Sequence, residues 1–95
     1  EPGYIANMRD TATAGFKYFD CRGVKRVKIK VRGYAKGAFE VKTAWDGPAL
    51  GSIPVNFTNV WKEYAADIAI PDGVHALYFT YTGSGNAQLA SFTLE

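Results

Sequence analysis

A chain of 95 residues has room for one small domain, and eleven Lys and Arg against nine Asp and Glu leave a net charge of +2, too slight to mark a nucleic-acid partner. An apolar fraction of 47% excludes intrinsic disorder, and the lone cysteine, Cys21, excludes an internal disulfide or a site built from several thiols. No apolar run approaches the ~18 residues of a membrane-spanning helix, and Glu1-Pro2-Gly3-Tyr4 is unlike a signal peptide, so no membrane partner is expected.

Aromatic residues make up 15% of the chain, which favours strands over helices. A loose extended stretch, Tyr4 to Ala14, precedes a strand from Gly15 to Cys21 that carries Phe16, Tyr18 and Phe19. From Val24 to Arg32, apolar Val27, Ile29 and Val31 alternate with Lys28, Lys30 and Arg32, the period of a half-buried strand. Gly33 to Gly37 reads as a turn. Phe39, Val41, Thr43 and Trp45 share one parity of the next strand, so Trp45 is read as core, and Asp46-Gly47-Pro48 ends that strand. A short strand spans Leu50 to Val55, with Pro54 at an edge or an end.

Beyond it, Tyr64, Ala66, Ile68 and Ile70 form the apolar side of another strand, closed by Pro71-Asp72-Gly73. Val74 to Thr82 is apolar on both parities, as a central strand is, and Gly83 to Asn86 turns the chain into a last strand, Gln88 to Leu94. Seven or eight short strands without a helix predict an all-β antiparallel sandwich, with residues 1–95 as a single module. There is no internal repeat or linker.

The residues that could carry catalysis are few. His75 is the only histidine and reads as structural, Cys21 has no neighbour to lower its pKa and reads as buried and inert, and the carboxylates are scattered. The chain is therefore not read as an enzyme, and no metal site is proposed. Lys28, Lys30 and Arg32 project from one strand face, a ridge read as solvated and balanced by Glu40, Glu63 and Asp67. The sequon Asn56-Phe57-Thr58 is too common a pattern to carry weight.

Trp61 is more informative. It lies off the Tyr64-to-Ile70 face, after the polar stretch Asn56 to Asn59, at an expected loop-to-strand junction. An indole face matches the C–H face of a pyranose, and amides such as Asn86 and Gln88 can bond its hydroxyls. The other reading of Trp61 is a lid over the end of the sandwich.

In chain order, Gly15-Phe-Lys-Tyr-Phe-Asp20, Val27-Lys-Ile-Lys-Val-Arg-Gly-Tyr34, Pro48-Ala-Leu-Gly-Ser-Ile-Pro-Val55, Val60-Trp-Lys-Glu-Tyr64 and Pro71-Asp-Gly-Val-His-Ala-Leu-Tyr-Phe-Thr-Tyr81 resemble the family 6 carbohydrate-binding modules. The likeness runs from about Tyr4 to Leu94 and is nearest to modules at the C-terminus of bacterial family 43 glycoside hydrolases, the β-xylosidases and arabinofuranosidases. It implies a jelly-roll, galactose-binding-like sandwich whose loops at one end hold a sugar between two aromatic rings, with an asparagine on its hydroxyls. By position Trp61 matches the tryptophan of that clamp and Tyr4 the opposing tyrosine. The asparagine is replaced: Gln88 stands at its position, with Asn86 two residues earlier. Glutamine reaches farther and loses more side-chain freedom on binding, which lowers the expected affinity.

Family modules open on an acidic strand that helps hold a structural calcium. Here the chain opens at Glu1-Pro2-Gly3, so that strand is expected to be missing, its calcium ligands with it, and an edge left open that invites a dimer. The resemblance thus implies a secreted module, extracellular or periplasmic, that tethers a covalently linked glycoside hydrolase to xylan or a related β-glycan. The rival expectation is an accessory sandwich that packs on its parent hydrolase without binding sugar. An adhesin or immunoglobulin-like domain fits the strand count but leaves Trp61 unexplained.

Overall fold

Alternation along the chain builds eight strands: β1 (Ile5–Met8), β2 (Thr13–Cys21), β3 (Val24–Gly33), β4 (Ala35–Lys42), β5 (Gly51–Val55), β6 (Thr58–Ile70), β7 (Gly73–Gly85) and β8 (Ala87–Leu94). The structure, a computed structural model, describes residues 4–95; Glu1-Pro2-Gly3, on which the expectation of a missing first strand rests, lies outside them. Among the described residues there is no helix. The strands pair antiparallel into two four-stranded sheets, β1-β8-β3-β6 and β2-β7-β4-β5. The expected all-β sandwich is what forms.

The core lies between the two sheets. Val27, Ile29 and Val31 of β3 are at most 1% exposed, and they meet Phe39 and Val41 of β4 and Leu77, Phe79 and Tyr81 of β7, all at 0%. A second aromatic cluster closes one side, where Phe92 of β8 packs on Phe16, Phe19 and Phe79 with ring centroids 5.0–5.2 Å away. Tyr81 places its ring in the core and its hydroxyl on the Ser84 carbonyl, so the buried phenol is satisfied. Burial pushes its pKa up.

Several boundaries differ from the sequence reading, each for a local reason. The turn expected over residues 33–37 is tighter, because Gly33 ends β3, Tyr34 alone bridges, and Ala35 already pairs with Gly85. Trp45 is not core: β4 stops at Lys42, and Trp45 falls in the following turn, 58% exposed, with its ring edge-on to Tyr78 at 5.8 Å. Parity carries no information past the end of a strand. β6 starts six residues earlier than expected, at Thr58 rather than Tyr64, so Trp61 sits inside a strand and not at its entrance. The loose stretch after Tyr4 resolves into β1 on the edge of the first sheet and a loop fixed by Asp10, whose carboxylate accepts the Gly83 N–H at 2.9 Å.

Close backbone approach between the β3–β4 and β7–β8 connections requires Gly85. It adopts φ +70, and a Cβ there would collide with the Tyr34 carbonyl oxygen, while Asn86 N–H donates to that same oxygen at 3.1 Å. Gly85→Ala is expected to cost at least about 2 kcal/mol, combining left-handed backbone strain with the clash. Urea unfolding would show this as a lower midpoint at unchanged slope; a wild-type midpoint would contradict the close approach.

Candidate functional site

The site forms because two irregularities in the first sheet flank one residue, Arg32. On the β8 side, Lys30 pairs with Ser91 but Val31 pairs with Leu89, so Ala90 is an extra residue, after which Arg32 stands opposite Gln88. On the β6 side, β3 advances two residues from Val31↔Lys62 to Gly33↔Thr58 while β6 advances four. Such bulges bend a strand and redirect its side chains. Strict alternation would set Gln88 on the same side as Phe92, in the core; the extra residue moves it to the outer face, next to Arg32.

The result is a stack of unlike groups. Arg32 Nε donates to Gln88 Oε1 at 2.9 Å, and the guanidinium carbon lies 4.5 Å from the Trp61 ring centroid and 5.7 Å from that of Tyr4. Tyr4 meets Trp61 edge-on, centroids 5.3 Å apart at 65°. The Trp61 indole Nε1 is sealed from solvent and has no hydrogen-bond partner among the described residues, although a buried N–H ordinarily has one. A cation on an indole face is attracted by the ring quadrupole, worth about 0.5–1 kcal/mol at an exposed site.

Beside this stack lies an open cleft of about 270 Å³, walled by Arg32, Gly33 and Tyr34 at the β3–β4 connection, Thr58 and Asn59 of β6, and Asn86 with Gln88 at the start of β8. Its rim carries an exposed ring pair, Tyr34 and Phe57, with centroids 4.8 Å apart. The cleft thus offers one cation, several amide groups and an accessible aromatic face, and none of its lining side chains is a carboxylate. That set can stack on a C–H face and bond hydroxyls; it holds no nucleophile and base in contact.

Each residue expected at the site from the sequence has a clear place. Asn86 and Gln88 line the cleft, and Trp61 and Tyr4 touch each other and Arg32 at its edge. The rings of Tyr4 and Trp61 do not stand apart as a clamp, since two faces holding a sugar need about 7–8 Å, twice an optimal carbon contact. Arg32, Tyr34, Thr58 and Asn59 also line the cleft, and the sequence does not single them out as site residues. For Arg32 the signal was present, because it shares the outward parity of Lys28 and Lys30 while Glu95 pairs with Arg26 and Lys28 at the far end of the ridge, each at 3.4 Å.

The groups set aside as catalysts have structural places. His75 Nε2 lies 2.9 Å from the Pro71 carbonyl, a geometry that calls for the tautomer with the proton on Nε2. Cys21 is 1% exposed, and burial, then the nearby Asp20 and Asp72, push its thiol pKa up. Among the described residues no three His, Cys, Asp or Glu side chains gather.

The fold and cleft define a class, a small all-β sandwich with an open cleft lined by amide side chains, one arginine and one aromatic ring. No family model matches the sequence. A xylosidase/arabinosidase from Thermoclostridium stercorarium is 72% identical over 94 residues, which is 99% of this chain but 20% of that protein. Among solved structures, a family 6 carbohydrate-binding module from Clostridium cellulolyticum in complex with xylose superposes with a TM-score of 0.87 at 18% identity, over 97% of this chain and 78% of that one. A family 43 arabinoxylan arabinofuranohydrolase from Bacillus subtilis in complex with cellotetraose gives a TM-score of 0.85 at 21% identity, over 99% of this chain and 22% of that one. The chain has the fold of the family 6 modules, and it is homologous to a segment spanning a fifth of a xylosidase/arabinosidase.

Burial of Cys21 has two measurable consequences. An aromatic disulfide reagent at neutral pH leaves the native thiol unreacted and titrates it once denaturant is added. Because the folded pKa is raised, the stability contributed by the neutral thiol is whole below the unfolded pKa of about 8.5 and is lost as the pH climbs through the folded value. Cys21→Ala removes that part of the alkaline loss; identical pH profiles for the two proteins would contradict it.

Proposed function

We propose that the chain is a non-catalytic carbohydrate-binding module that tethers a linked glycoside hydrolase to plant cell-wall polysaccharide, xylan or a related β-glycan. The observation that carries this reading is the cleft itself, where Asn86, Gln88, Asn59 and the exposed Tyr34 ring face one space beside Trp61. The xylose and cellotetraose held by proteins of the same fold support a sugar as ligand, and the homologous xylosidase/arabinosidase supports a linked hydrolase and an extracellular or periplasmic setting.

In this reading Trp61 and Tyr4 form the stacking platform, and Gln88 and Asn86 read hydroxyls. A pyranose enters between the two rings only if Tyr4 and Trp61 part from their 5.3 Å contact. Stacking with a few hydrogen bonds gives weak single-site affinity, made useful by the high effective concentration of a linked catalytic domain.

The closed contact of Tyr4 on Trp61 favours a second reading, an accessory sandwich that packs on its hydrolase and takes no sugar. Titration calorimetry with soluble xylan separates the two. The first reading predicts heat that vanishes in Trp61→Ala while that variant keeps the wild-type circular dichroism; the absence of heat, or unchanged affinity in the variant, supports the second.

A further inference from the structure

We propose that the cleft prefers a carboxylate-bearing sugar, a uronic acid, over a neutral one, and that Arg32 is the residue that reads the acid; this rests on the carbohydrate-binding reading above. The outward face of β3 carries four cations, and they are not equivalent. Arg26 and Lys28 share Glu95, and Lys30 stands opposite Glu63 in the register. Arg32 makes no ion pair among the described residues. Its one polar partner is the neutral amide of Gln88, through Nε, so both terminal nitrogens keep their donors, and the residue lines a cleft with no carboxylate.

Three features suit that cation to an acidic sugar rather than to solvent. The guanidinium is held in place by Gln88 on one side and the indole on the other, so little freedom remains to be lost when a ligand arrives. Its planar pair of terminal nitrogens matches the planar oxygens of a carboxylate, a fit a lysine ammonium lacks. Around it, Asn59 and Asn86 supply donors and acceptors for ring hydroxyls, and Tyr34 a face for the ring. A free carboxylate without a sugar would use only the first two of these.

The test is calorimetric titration of the 95-residue chain with a neutral xylo-oligosaccharide and with the same oligosaccharide carrying one glucuronic acid substituent, at low and high salt. The acidic ligand is expected to bind about fivefold tighter or more at low salt, with the advantage shrinking at high salt. In Arg32→Gln the ratio of the two affinities falls to one, and Arg32→Lys restores part of it. Circular dichroism and urea unfolding check that each variant is folded. Equal affinities in the wild type would overturn the acid preference and leave the carbohydrate reading standing; a preference that survives Arg32→Gln would overturn the role of Arg32. Absence of binding by either ligand would overturn both.

Discussion

Burial of Val27, Ile29 and Val31 between β8 and β6, against the second sheet, fixes everything on the other face of β3. With the odd residues in the core, Lys28, Lys30 and Arg32 must face out, since a slip of one residue would drive three cations into the sandwich. The cleft is built on that constraint. Its central cation is the last outward residue before Gly33 turns the chain, and its walls are whatever β8, β6 and the β3–β4 connection bring alongside.

What they bring depends on irregular backbone. The extra Ala90 sets Gln88 across from Arg32, and the longer β6 segment between Thr58 and Lys62 carries Trp61 beneath the guanidinium. Gly85 permits the β7–β8 connection to lie on the Tyr34 carbonyl, which draws Asn86 into the same space. Regular pairing would have kept these groups apart, so the bulges are as much a part of the site as the side chains.

The division between legible and illegible features follows from this. The strands with clean alternation, β3 and the Tyr64-to-Ile70 half of β6, could be read because burial on one face imposes the period directly. The sandwich followed from them, from the apolar β7 and from the turn residues. Trp45 was misplaced because alternation was carried beyond Lys42, where the strand had ended. The convergence of Trp61, Arg32 and Gln88 could not be read, because it depends on strand registers and extra residues that leave no periodic trace. Tyr4, Trp61, Asn86 and Gln88 could be named as candidates from their chemistry and family likeness, while Arg32 was absorbed into a ridge whose members share a face but not their partners.

The central claim is that a sugar is held in the cleft beside Trp61. The two tryptophans lie on different sheets' outer sides, Trp61 against Arg32 and Trp45 against Tyr78, so their indole signals separate the alternatives. The direct measurement is a nitrogen–proton correlation spectrum of the chain titrated with xylohexaose. The account predicts that the Trp61 indole N–H and the side-chain amides of Asn86 and Gln88 move together while the Trp45 indole stays still. Movement of Trp45 without Trp61, or a spectrum unchanged at saturating sugar, would contradict it.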